Sequence, residues 1–269
     1  SYKEFVQKFM HDEEEKGLQV INESETGNRN WLKLVEVGDY TFPKPNGKLL
    51  KDKLERAEDK VCDAWEEPNW WKQIEMAWQV LKISPYCVDA YNLLAIYSKD
   101  IAEKKELYKR GLKAGKVVLG EDFIRENRGH FWLDIDTRPY MRSLFGLGYC
   151  LSQEGKIEKA IEIYYELLSL NPQDNQGVRY TLINHLLEAN LNDKAQELLK
   201  EHDEATCFMS YSRALLLFRM EGDGIKANTA LLEAYNSNKY VPDYLTEKEF
   251  LPFILPDRYS WGNEDEAII

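Results

Sequence analysis

MRSLFGLGYCLSQEGKIEKAIEIYYELLSLNP, residues 141–172, decides the fold of this chain. Its small and apolar residues fall at Leu144, Leu147, Gly148 and Leu151. After a polar turn around Gly155 they resume at Ala160, Tyr164 and Leu167, and Pro172 closes the stretch. Residues recurring every three or four positions mark one face of a helix. Two such helices joined by a short turn make a helical hairpin. A weaker copy runs through Leu182, Leu186, Ala195 and Leu199. A third runs through Tyr211, Ala214, Leu215, Phe218, Ala227 and Leu231. Ala160, Ala195 and Ala227 are 35 and 32 residues apart.

That period is the tetratricopeptide one. The spacing predicts an all-α fold, with tetratricopeptide-like hairpins forming a short right-handed solenoid between a helical N-terminal extension and a C-terminal cap. The alanine on the second helix lets two helices approach closely, while Tyr164 and Leu231 are expected to fill the space beyond it. A single hairpin leaves one apolar face wet, and stacking buries it.

Upstream, Tyr2 to Ile21 reads as one amphipathic helix, followed by a polar break, a short apolar run at Trp31 to Val37 and a Pro- and Gly-containing loop over Thr41 to Gly47. Lys48 to Glu67, Trp70 to Ile83, Asp89 to Ser98 and Ile101 to Leu119 read as helices, the later ones as a degenerate repeat with Ala95 and Gly111 at close approaches. The adjacent Trp70 and Trp71 are expected to pack into two helix faces. Residues 1–67 are expected to form the extension, 68–120 degenerate repeats, 121–140 a connecting segment, 141–236 three repeats and 237–269 the cap or tail.

Composition narrows the function. A formal charge of -12 repels a phosphate backbone, and no dense basic patch offsets it, so nucleic acid is not an expected partner. Residues Ser1 to Met10 lack the apolar stretch of a signal peptide, and no run is long enough to span a bilayer, so no membrane partner is expected. Cys62, Cys87, Cys150 and Cys207 lie too far apart for metal-ligand spacing and read as reduced thiols of a cytoplasmic protein. No cofactor is implied, since Gly-rich phosphate loops and metal-binding His-Glu-x-x-His arrays are missing.

The first helices of stacked hairpins line a shared wall. That register assigns Arg142, Phe145 and Tyr149 of one repeat, Tyr180 and Asn184 of the next and Arg213 of the third to a peptide groove. Tyr and Arg are enriched at binding hot spots, and arginines in an acidic protein suit an acidic partner segment. The alternative is that Phe145 and Tyr149 pack against the neighbouring hairpin while the arginines are solvated. The interrupted segment carries one polar cluster, His130, Asp134, Asp136 and Arg138. A His-x-x-x-Asp spacing shares a face if helical and could hold a metal or serve as acid and base. Equally, Asp136 could cap the next helix while Arg138 pairs with Asp134. The readings are therefore a binding scaffold, an enzyme at this cluster, or a structural subunit that self-associates through its ends or through the Trp pair.

Four strings carry a resemblance: PYCVDAYNLLA at 85–95, GHFW at 129–132, TRPYMR at 137–142 and NPQDNQGVRY at 171–180, with the tail YSWGNEDEA at 259–267. They resemble bacterial tetratricopeptide proteins of unassigned function, a group similar to the suppressor of tumorigenicity 7 family, over roughly residues 64–269. The resemblance implies a helical repeat protein and brings no catalytic residues. Chaperone-binding repeats clamp a terminal carboxylate with Lys and Asn. Arg142, Tyr149 and Asn184 stand at the groove positions here, so that ligand does not transfer.

Overall fold

The computed structural model describes residues 48–269 except Asp257, with side chains from Lys51 onward. The helix expected over Tyr2 to Ile21, the break after it, the run at Trp31 to Val37 and the Thr41 to Gly47 loop lie outside the described residues. Those described belong to one unit, Lys44–Ile269. It is all-α: α1 (Lys48–Glu66), α2 (Trp70–Ile83), α3 (Val88–Tyr97), α4 (Ile101–Leu119), α5 (Glu121–Glu126), α6 (Arg138–Gln153), α7 (Ile157–Leu170), α8 (Val178–Glu188), α9 (Asn192–Glu201), α10 (Cys207–Glu221), α11 (Ile225–Ser237), α12 (Val241–Leu245) and α13 (Glu264–Ile268).

Five consecutive pairs form hairpins among the described residues: α1/α2, α3/α4, α6/α7, α8/α9 and α10/α11. Each packs on the next, giving a stack of tetratricopeptide-like hairpins. Ala160, Tyr164 and Ala195 are fully buried, and Ala227 nearly so. Small residues set the spacing within and between pairs. A Cβ on Gly148 of α6 would lie 2.8 Å from the Tyr164 ring of its partner α7. A Cβ on Gly146 would fall 2.2 Å from the Tyr108 ring of the preceding hairpin. Gly111 serves the junction between hairpins as well as its own, since its vacant Cβ position is 2.6 Å from Ser143 Oγ of α6 and 3.5 Å from Tyr91 of α3.

Caps and turns fix the helix ends. Asn69 accepts from Trp71 and Lys72 N–H groups, and Asp100 accepts from Glu103 N–H at 2.8 Å. The α6/α7 turn needs a left-handed residue, and Gly155 supplies it at φ 72°. At α8 the cap reaches further. Buried Asp174 accepts from Val178 N–H at 2.7 Å and Arg179 N–H at 2.9 Å, and also binds the Arg179 guanidinium.

Three packing expectations change. Trp70 and Trp71 stack on each other, with ring centroids 4.3 Å apart and Tyr97 6.0 Å from Trp70, instead of entering two faces. In the first turn after Asn69, Trp70 lies between Trp71 and Tyr97 at the end of α3. Leu231 is 50% exposed, since among the described residues no further hairpin packs on α11. The tail docks at the start of α10 and leaves the outer face of α11 open. There, Glu266 is 2% exposed and accepts from the N–H groups of Cys207 and Gly262 and from Asn238 Nδ2. No described helix is long and apolar enough to cross a membrane.

Candidate functional site

The first helices α3, α6 and α8 carry an exposed stripe. On α6, Arg142 is exposed, Phe145 is half-buried and Tyr149 is 44% exposed. These residues follow one another every three or four positions, between Met141, Leu144 and Cys150 on the buried side. Aligning Ala95 with Gly148 puts Asp89 in register with Arg142 and Ile96 with Tyr149. The packing agrees, because Arg142 Nε donates to Asp89 Oδ1 at 2.9 Å and a second N–H binds Asp89 Oδ2. Ile96 is 49% exposed, and the Lys104 ammonium stands 5.7 Å over the Tyr149 ring. Beneath the stripe, buried Asn92 donates to Asp89 and to Pro139 O, and Ser143 donates to Asn92, tying α3 to α6.

The other groove residues have more defined partners. Phe145 packs on Tyr164, 5.7 Å between centroids. Tyr180 lies beneath the Arg179 guanidinium, 4.4 Å away, and against Phe208, 5.1 Å away; Phe208 meets Tyr259 edge-on at 6.2 Å. Asn184 is exposed one turn after Tyr180. Arg213 donates to Leu199 O at 3.3 Å and to Asp203 at 2.6 Å, so it is tied to the end of α9. Arg142, Phe145 and Tyr149 share one helix face, and Tyr180 and Asn184 share another. Ile96, Asp89, Phe208 and Tyr259 complete these surfaces and were missed. For Asp89 and Ile96 the signal was the register of the degenerate repeat.

Negative charge gathers near the first part of the stripe. The Glu58 carboxyl on α1 is pushed up to about 7, first by partial burial and then by Asp136, Glu55, Asp89 and Asp59, though the side chain retains solvent contact. Its neighbours join a carboxylate of the interrupted segment to the start of the stripe.

The polar cluster does not form a helix. Residues 131–133 and 135–137 make two 3-10 turns, breaking the His-x-x-x-Asp face. Asp136 does not cap α6, whose start has no side-chain cap, and Asp134 instead caps the second 3-10 turn, accepting from Asp136 N–H at 3.0 Å. Arg138 donates to Trp132 O and stacks 4.5 Å over its ring, leaving Asp134 to the backbone. His130 Nδ1 lies 3.3 Å from Arg128 O. Among the described residues no group of three or more His, Cys, Asp or Glu side chains is arranged to hold a metal ion. What the segment does is plug the core. Phe131 is fully buried, and Thr137 donates to Phe131 O and Asp134 O.

Cys87, Cys150 and Cys207 are buried and Cys62 is exposed. Burial pushes the Cys87 and Cys207 thiols up to about 12 and Cys150 to about 11, away from the thiolate that nucleophilic chemistry requires.

The stacked hairpins make a tetratricopeptide-like helical-repeat fold. Residues 151–206 match the tetratricopeptide repeat family model. Among solved structures, YrrB, described as a TPR protein with an unusual peptide-binding site, is 15% identical at a TM-score of 0.50, over 75% of this chain and 99% of that one. A putative kinesin light chain from Podosopora anserina with nearly identical TPR-like repeats is 14% identical at a TM-score of 0.44, over 70% and 93%. PilF of Pseudomonas aeruginosa is 15% identical at a TM-score of 0.36, over 70% and 93%. No curated protein matches the chain.

Proposed function

We propose that this chain is a binding module that seats an extended peptide or protein segment on the stripe of α3, α6 and α8. The exposure of Ile96 and Tyr149 in register on successive first helices, among buried neighbours, carries this reading. Two apolar side chains held by rigid helices offer anchor points at little entropic cost. Asn184 and Tyr180 extend the same register. An acidic segment would take Arg142 from Asp89 and Arg213 from Asp203, exchanging one carboxylate for another. Partner charge therefore tunes binding while the apolar anchors supply most of it. The strings GHFW and TRPYMR support kinship with bacterial tetratricopeptide proteins of unassigned function, and reduced thiols support a cytoplasmic setting.

The test is selection from a peptide library against the full chain, with Tyr149→Ala and Ile96→Asp as controls. Selected peptides are expected to weaken at least about tenfold on either variant, the cost of losing one hot-spot side chain. Peptides bound equally by both variants would place recognition elsewhere.

The outer face of α11 supports a second reading, self-association end to end. Leu231, Leu232 and Tyr235 on α11 are 50%, 60% and 49% exposed, and Leu215 and Phe218 on α10 are 42% and 55% exposed. Exposed apolar side chains of this kind on one hairpin are the material of an interface. Light scattering across a dilution series tests this. A dimer that Leu232→Asp dissociates supports it, and a monomer at every concentration rejects it.

A further inference from the structure

The interrupted segment builds a cleft beside the second helices α4 and α7. The cleft holds about 310 Å³ and is lined by Lys116 of α4, Glu121, Ile124 and Arg125 of α5, Arg128, Tyr140 of α6 and Glu166 of α7. Two strings singled out in the sequence meet here, one bringing Arg128 beside the GHFW run and the other Tyr140 within TRPYMR.

The charges in the cleft are partly settled. Arg128 donates to both Glu166 oxygens, at 2.9 and 2.6 Å, and to Ser169. Arg125 turns outward to Asp122 at 2.8 Å and Glu126 at 3.6 Å. Lys116 has no ion pair among the described residues, and neither does Glu121. Tyr140 is 5% exposed, its ring packed away while its hydroxyl reaches the solvent-filled cleft. The ring is laid into the cleft by Gly115, where a Cβ would stand 2.8 Å from Tyr140 Cδ2. The hydroxyl shares the cleft with the Arg128–Glu166 ion pair and feels both charges. Burial pushes that hydroxyl up to about 12, so it stays a neutral donor. A neutral hydroxyl donor and an unpaired ammonium opening onto one cleft can together hold an acceptor from outside.

We propose that this cleft binds a small oxyanion-bearing ligand, a carboxylate or phosphate compound of metabolite size, seated on Lys116 and Tyr140 with a remaining N–H of Arg128. Ile124 would face its apolar part. Glu121 at the rim disfavours a ligand of higher negative charge. The site is independent of the peptide stripe and stands if that reading fails.

The experiment is calorimetric titration of the full chain at fixed ionic strength, with inorganic phosphate and succinate as probes. The arm that saturates names the oxyanion. Saturation with a Kd on the order of 1 mM is expected for one probe. Lys116→Gln and Tyr140→Phe should each weaken it about tenfold, the loss of one charge-assisted or buried hydrogen bond. Glu121→Gln, which removes a like charge, should tighten it. Lys226→Gln on α11 makes the same charge change far from the cleft and should leave binding unaltered. Lys116 is exposed and Tyr140→Phe keeps the ring, so the fold should persist, which circular dichroism checks. No saturation by either probe up to about 20 mM would overturn the proposal. So would equal weakening by Lys226→Gln and Lys116→Gln, or weakening by Glu121→Gln.

Discussion

At the scale of single residues, the closest tolerances belong to glycines. Gly146 faces the Tyr108 ring where a Cβ would stand at 2.2 Å, so Gly146→Ala forces two hairpins apart. Overpacking of this kind costs about 1–3 kcal/mol, and a urea titration should show it as a lower midpoint. Glu58 makes a pH prediction. Its carboxyl is raised to about 7 in the folded chain against an ordinary 4.5, so the folded state holds the proton more tightly than the unfolded one. The penalty is present above pH 7 and is relieved as pH falls through 7 toward 4.5. Thermal melting should therefore rise by at most about 2–4 °C between about pH 8 and about pH 5, discounted for solvent contact, and Glu58→Gln should remove that rise. Gly146 and Gly148 were legible as packing glycines because they fall inside an apolar helix. The raised Glu58 was not, since the carboxylates acting on it come from α3 and the interrupted segment as well as its own helix.

At the scale of elements, the segment between α4 and α6 is structural at its centre. Phe131 is fully buried against Phe123 and Tyr140. Phe131→Ala should cost about 3–5 kcal/mol, read by chemical denaturation, with faster proteolysis near residues 121–137. Arg128→Ala, which loses an exposed pair with Glu166, should cost less than about 1 kcal/mol. The repeat helices were legible because apolar periodicity is local. The geometry of the polar cluster was not legible, since a shared face required a helix and Thr137 and Asp134 stabilise 3-10 turns instead. Asp89 and Arg142 are 53 residues apart, and only the stacking of α3 on α6 brings them together.

At the scale of the molecule, the tail closes one side of the last described hairpin. Glu266, 59 residues from Cys207, closes the start of α10 with a buried carboxylate. Glu266→Ala should lower the unfolding free energy by about 1–3 kcal/mol, because three donors lose their acceptor. No local pattern announced that contact, although the repeat period announced the stack itself. The central claim is that the first-helix face recognises a segment of another chain. Amide hydrogen exchange, with and without a library-selected peptide, tests it most directly. The account predicts added protection on α3, α6 and α8, lost in Tyr149→Ala. Protection confined to α4, α7 and α9, or none at all, would contradict it.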